Sequence, residues 1–211
     1  FLPGVKFGDN LTTAPTPQAT IRDADVVVFS APAQHFRSAL NSAIPYLTDN
    51  MVLVNVAKGI EQKTLKRMSE IAEEMLPTAK YVVLSGPSHA EEVGQKLPTT
   101  VAVASKDMAL AEYIQDVFIT DRFRVYTNHD VIGVELGGAL KNIIALAAGI
   151  SDGMGFGDNA KAAMMTRGMV EMARLGVALG DEASTFWGLT GMGDLIVTCT
   201  SMHSRNRRCG I

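Results

Sequence analysis

A doubly wound parallel α/β sheet followed by an all-α domain is the fold class this sequence predicts, on three observations. Short β-branched apolar runs alternate with longer amphipathic segments over the first half, the pattern of buried parallel strands joined by helices. After Thr127 the alternation stops, and two long segments rich in Ala, Leu and Met follow. The 211 residues give room for one to two domains at roughly 150 residues each.

Taken in order, Val26–Phe29 reads as the first strand and residues 33–46 as the helix after it. Residues 52–56 and 64–76 repeat the pair. Residues 81–84 and 100–104 read as further strands, 106–118 as a helix and 123–126 as a last strand. The sheet half is therefore placed at residues 1–127 and the helical domain at 128–211. In the second, residues 131–150 form a helix capped by Asn128 or Asp130, and residues 159–179 one capped by Asp158 with Gly180 as its stop. Met164, Met165, Met169 and Met172 recur at helical spacing and read as core or subunit contact.

Composition excludes several classes. Nineteen Lys and Arg against 22 Asp and Glu leave a net charge of −3, so no global positive field favours nucleic acid or an anionic membrane. Hydrophobic residues at 47% and charged ones at 19% suit a packed globular chain and exclude bulk disorder. The apolar run 143–150 is far short of the ~20 residues that span a bilayer, so no stable membrane insertion is expected. Cys199 and Cys209 cannot make a disulfide framework and lack the companions of a zinc set, so no metal and a reducing, cytoplasmic compartment are expected.

In such a sheet, ligands bind beyond the carboxyl ends of the strands. Ser30-Ala31-Pro32-Ala33-Gln34 follows the first strand and offers small residues and free N–H groups to a cofactor, or simply connects two elements. Lys58, beside Gly59, follows the second, either as a cation for a carbonyl or phosphate oxygen or as a solvated surface lysine. Gly86-Pro87-Ser88-His89-Ala90 follows the third, where a ligand can approach the backbone; His89 reads as a packing or solvent residue rather than a metal ligand. In the first long helix Gly137 and Gly138 each cost about 1 kcal/mol relative to Ala, so a helix or a ligand must need the missing side chains. Lys141 stands one turn further on, expected to be partly exposed yet in apolar surroundings that suit an ammonium to proton transfer. The glycines of Gly188-Leu189-Thr190-Gly191-Met192-Gly193 follow no strand, so they read as a tight turn presenting Asp194 rather than a dinucleotide loop. Ser204, Arg205 and Asn206 together offer a hydroxyl, a guanidinium fork and an amide, a phosphate grip or a bare basic run.

Lys58-Gly59-Ile60-Glu61, Gly86-Pro87-Ser88-His89-Ala90-Glu91-Glu92, Gly133-Val134-Glu135-Leu136-Gly137-Gly138-Ala139-Leu140-Lys141-Asn142, and Gly193-Asp194-Leu195 through Ser204-Arg205-Asn206, in that order, resemble the NAD(P)-dependent glycerol-3-phosphate dehydrogenases, and residues 185–189 look closer to the bacterial form. The resemblance covers essentially the whole chain, while the family continues beyond both ends. It implies a Rossmann-like sheet lacking its first βαβ glycine loop in 1–127, and a C-terminally incomplete helical domain in 128–211. It implies hydride transfer between NAD or NADP and the pair dihydroxyacetone phosphate and sn-glycerol 3-phosphate, feeding glycerophospholipid synthesis, in a homodimer. Lys141, Lys58 and Asp194 then match the catalytic positions: Lys141 the proton donor and acceptor, Lys58 the second lysine and Asp194 the acid that orients them. Lys58, Gly86, Ser88, Lys141, Asp194, Ser204, Arg205 and Asn206 match substrate contacts, and Ser30, Pro32, Lys58, Ala90 and Arg205 fall to the cofactor. His89 departs from the family, where an aromatic such as Phe is usual. The rival readings are a two-domain dehydrogenase of the 6-phosphogluconate or 3-hydroxyacyl-CoA type, and a non-catalytic dimerisation module.

Overall fold

The computed structural model describes residues 2–211; Phe1, the first residue of the expected sheet half, lies outside the described residues. A short helix α1 (Pro17–Ile21) precedes strand β1 (Val26–Phe29). The helix expected at 33–46 is a 3-10 turn (Ala33–His35), helix α2 (Phe36–Ala43) and a second 3-10 turn (Ile44–Tyr46), the last beginning where Pro45 removes a backbone donor. Strand β2 (Val52–Asn55) and helix α3 (Met68–Met75) follow. The expectation that α3 starts at residue 64 is corrected. Leu65 takes a left-handed φ of +58°, and Glu61 and Lys66 close a loop through a 2.9 Å backbone bond before the helix begins.

Strand β3 (Lys80–Ser85), helix α4 (Ala90–Gly94), strand β4 (Thr99–Ala104), helix α5 (Met108–Phe118) and strand β5 (Phe123–Asn128) complete the α/β half. The strands lie in chain order, β1 to β5, with parallel pairs at β1–β2, β2–β3 and β4–β5. The sheet is mixed rather than wholly parallel, because β4 runs antiparallel to β3, with Val83 opposite Ala104. The connection between them, residues 86–98, contains only the five-residue α4.

Alternate strand residues feed two cores. Leu53 packs with Phe36, Leu40, Met68 and Ile71 of α2 and α3 on one face. Val54, Val82, Val101, Val103 and Val125 pack with Ile114 of α5 on the other.

Helix α6 (Val131–Gly153) then leaves the sheet, capped by Asp130, whose Oδ1 accepts the Gly133 N–H at 2.9 Å. By length and composition α6 could cross a membrane, so the eight-residue run underestimated it; in the fold it is the central helix of the second core. Its buried Glu135 accepts from Ser69 N–H at 2.9 Å, Tyr81 O–H at 2.7 Å and Arg67 at 3.1 Å, which fastens α6 to α3 and β3. Helix α7 (Gly157–Ala178) packs Met169 and Met172 into that core, with Met164 and Met165 at its border. Asp158 is not its cap: the N-cap position falls on Phe156, and Asp158 lies inside the first turn beside Lys161. Gly180, at φ +94°, ends the helix as expected. Helix α8 (Ala183–Phe186), a π-helical turn (Leu189–Gly193), helix α9 (Asp194–Thr200) and helix α10 (Arg205–Gly210) close the chain.

Candidate active site

Two backbone devices deliver Lys58. Buried Asn55 accepts the Ala57 N–H at 3.0 Å and donates to the Ala57 carbonyl at 3.1 Å, fixing the turn that leaves β2. Gly59 then takes φ +148°, where an added Cβ would stand 2.8 Å from Ala33. Lys58 Nζ donates to the Gly86 carbonyl at 2.8 Å and to Asp194 Oδ2 at 2.6 Å.

The glycine pair in α6 is explained by what meets each residue. An added Cβ on Gly137 would lie 2.5 Å from the Thr190 carbonyl, and one on Gly138 would lie 3.0 Å from Ser85 Oγ and 3.2 Å from Lys58 Cγ. Gly137 thus admits the π-helical turn and Gly138 admits the lysine stem. Within that turn an added Cβ on Gly191 would collide with the Phe186 carbonyl, and Asp194 follows directly as the first residue of α9.

Lys141 is 6% exposed, not partly exposed as its helical position suggested. Its Nζ donates to Asp194 Oδ1 and, at 2.7 Å, to Thr198 Oγ1, whose hydroxyl donates to the Asp194 carbonyl at 2.5 Å. Asp194 is 1% exposed, so one buried carboxylate joins two lysines from two other elements. Burial and then the nearby Lys58 charge bring the Lys141 ammonium down to about 8, against the opposing pull of Asp194. A buried lysine at that value exchanges a proton readily near neutral pH. Thr198 carries no role in the sequence reading, although its spacing of four from Asp194 on one helix face places the two side by side.

The remaining candidates line the approach to this array. Gly86 takes φ +139° with its Cβ position 3.0 Å from Val101 Cα, and its carbonyl accepts from Ser88 Oγ at 3.1 Å as well as from Lys58. Both bonds engage the carbonyl, and the Gly86 N–H has no partner among the described residues. Ala90 is exposed at the start of α4. Ser204 is buried and caps α10, accepting the Arg207 N–H at 3.2 Å, and its hydroxyl hydrogen remains to donate to a ligand. Asn206 is half-buried, and Arg205 is exposed with no ion-pair partner among the described residues, while Arg207 is held by Asp152 at 2.8 Å. The His89 and His203 rings, 5.7 Å apart, bring the 86–90 and 203–206 segments together.

Ser30 and Pro32 are exposed beyond β1. Gln34 ties their loop to that of Lys58, donating to the Ile60 carbonyl at 2.7 Å and accepting from Gln62 N–H at 2.9 Å. The loops after β1 and β2 are thus held side by side at the carboxyl ends of neighbouring strands, where sheets of this kind take a dinucleotide. Among the described residues no glycine-rich loop follows a strand to take its pyrophosphate.

A profile described as NAD-dependent glycerol-3-phosphate dehydrogenase N-terminus matches residues 1–111, and the corresponding C-terminus profile matches residues 130–211. Proteins named glycerol-3-phosphate dehydrogenase, NAD(P)+, from Pelotomaculum thermopropionicum, Bacillus subtilis and Moorella thermoacetica are 57%, 56% and 59% identical over 100% of the chain. The chain spans 61%, 62% and 63% of those relatives. The crystal structure of glycerol-3-phosphate dehydrogenase from Coxiella burnetii superposes with a TM-score of 0.96 at 37% identity, covering 100% of this chain and 64% of that one. The yeast enzyme's structure, from Saccharomyces cerevisiae, gives 0.86 at 28%, with coverages of 100% and 64%.

Proposed function

The chain belongs to the NAD-dependent glycerol-3-phosphate dehydrogenase family, and we propose that it interconverts dihydroxyacetone phosphate and sn-glycerol 3-phosphate by hydride exchange with NAD or NADP. The observation that carries this reading is the array Lys58–Asp194–Lys141, in which one buried carboxylate, 136 positions from Lys58 and 53 from Lys141, joins the two lysines. A scaffold or dimerisation module has no use for two lysines and an acid sealed together at strand ends.

NAD(P)H, when bound, supplies the hydride to the carbonyl carbon. Lys141 donates a proton to the oxygen that becomes an alkoxide and takes it back in the oxidation direction. Lys58, more open than Lys141, stabilises the same developing charge and orients the substrate. Asp194 holds both lysine head groups in place, and Thr198 fixes the Lys141 rotamer. Gly86 N–H, Ser88, Ser204, Arg205 and Asn206 hold the substrate, the last three at its phosphate, and Ser30, Pro32, Lys58, Ala90 and Arg205 border the cofactor.

In this reading residues 1–127 are the dinucleotide-binding domain and 128–211 the helical catalytic domain. The reaction supplies backbone for glycerophospholipids in the cytoplasm, from a homodimer. The test is oxidation of NADH and of NADPH with dihydroxyacetone phosphate, by the protein at its natural length; turnover with either nucleotide is expected, and none with both overturns the reading.

A further inference from the structure

We propose that His89 and His203 form an additional grip on the phosphate of the substrate, with the Nε2–H of His89 as its hydrogen-bond donor; this rests on the function proposed above. His89 sits between Ser88 and Ala90, at the cap position of α4. Its Nε2 is buried and has no hydrogen-bond partner among the described residues. Buried polar atoms are nearly always paired, so an orphan at the border of a ligand site is a group whose partner is the ligand.

The second observation is independent of the first. His203 immediately precedes Ser204-Arg205-Asn206, and its ring centre lies 5.7 Å from that of His89 at an interplanar angle of 52°. The rings are therefore not stacked, and they exchange no hydrogen bond among the described residues. Ser201 Oγ accepts the His203 N–H at 3.0 Å, and the Glu91 carboxylate stands 3.9 Å from His203 Nδ1 and occupies that side of the ring. Ser201 and Glu91 thus hold the segment that leads into Ser204, Arg205 and Asn206, with the His89 ring beside it. A phenylalanine at position 89 could fill the same space but has no N–H to offer an anion. Arginine, serine and asparagine at 204–206 then bind the phosphate from one loop and the imidazole from the other, which makes phosphate recognition a closing contact between α4 and α10.

The test compares wild type with His89→Phe, His89→Gln and His203→Ala, by calorimetric binding of inorganic phosphate and by steady-state kinetics, in the protein at its natural length. His89→Phe is expected to weaken phosphate binding and raise KM for dihydroxyacetone phosphate by roughly tenfold, with KM for the nucleotide unchanged. His89→Gln, whose amide nitrogen lies near the position of Nε2, restores most of the loss. His203→Ala weakens phosphate binding in the same direction, and it alone decides should His89→Phe not fold. Phosphate affinity equal to wild type in every folded variant overturns the proposal. If wild type turns over no dihydroxyacetone phosphate while His89→Phe still binds phosphate more weakly, the reaction is wrong and the anion site stands.

Discussion

Asp194 Oδ2 accepts a 2.6 Å hydrogen bond from Lys58 Nζ, joining the loop after β2 to the start of α9 and leaving the other carboxylate oxygen for Lys141. The sheet half and the helical half therefore meet in the same ion array that the proposed chemistry uses, so that loss of the carboxylate disturbs both packing and proton transfer.

Asp194→Asn keeps the shape and removes the charge. Two lysines, one of them 6% exposed, then lose their counterion, and breaking such a pair costs about 3 kcal/mol. The expected result is a lower Tm together with a loss of roughly a thousandfold in kcat/KM for dihydroxyacetone phosphate. Thermal unfolding and initial rates on one preparation check both.

The pH profile follows from Lys141. Its folded value is about 8, below the 10.5 of an unperturbed lysine, because burial and Lys58 disfavour the charge. Below about pH 8 it is an ammonium able to donate, so ketone reduction is flat there and falls as pH rises further. Oxidation needs the neutral amine, so its rate climbs with pH and levels off above about 8. Between about 8 and 10.5 the unfolded chain holds a proton that the folded one has released, so this group adds stability as pH rises through that window. Rates in both directions between pH 6 and 10 test the crossing.

Much of this was legible in the residues. The strand at 26–29, the strand read as 100–104 and the long helices announced themselves through apolar runs, and the first long helix through its cap Asp130, because burial dictates residue type directly. The antiparallel β3–β4 pair did not, since no residue of the 86–98 connection states the direction of the strand that follows it. Lys58, Lys141 and Asp194 were recognisable through motif order, yet nothing in their spacing states that one carboxylate joins them. The burial of Lys141 was misjudged because its cover comes from α9, more than fifty residues away in sequence. Thr198 was passed over although its spacing from Asp194 was visible; a hydroxyl in a helix is too common to point to a role without its lysine.

Gly137→Ala places a methyl 2.5 Å from the Thr190 carbonyl, a backbone group that cannot swing aside. Overpacking of this kind costs about 1–3 kcal/mol. Because the obstructed turn leads straight into Asp194, activity is expected to fall further than the Tm change alone explains. Equal kcat in the variant would show that α9 tolerates the displacement.

Asp181 is a buried carboxyl beside Asp130, and both its oxygens lack a donor among the described residues. Burial first, then Asp130, pushes it up to about 8 from 3.8. The folded state thus keeps a proton that the unfolded chain releases above about pH 4, so this group's contribution to stability declines as pH rises from about 4 to 8 and is constant beyond. Asp181→Asn supplies an N–H to Asp130 at every pH. It is expected to flatten the dependence and to be about 1–3 kcal/mol more stable than wild type at pH 8. Denaturant unfolding at pH 5 and pH 8 measures it.

Arg205→Lys exchanges a planar fork for a point charge at an exposed position. KM for dihydroxyacetone phosphate is expected to rise by roughly tenfold, with Tm unchanged. An unchanged KM would move the phosphate away from α10.

The most direct test of the central claim is the rate of dihydroxyacetone phosphate reduction by wild type and by Lys141→Met, measured side by side at pH 7 with NADH and with NADPH. Met keeps the volume of the buried stem while removing the proton donor. The account predicts clear turnover by wild type and a loss of about a thousandfold in the folded variant. A variant that retains the wild-type rate would contradict the assignment of Lys141 as the proton donor.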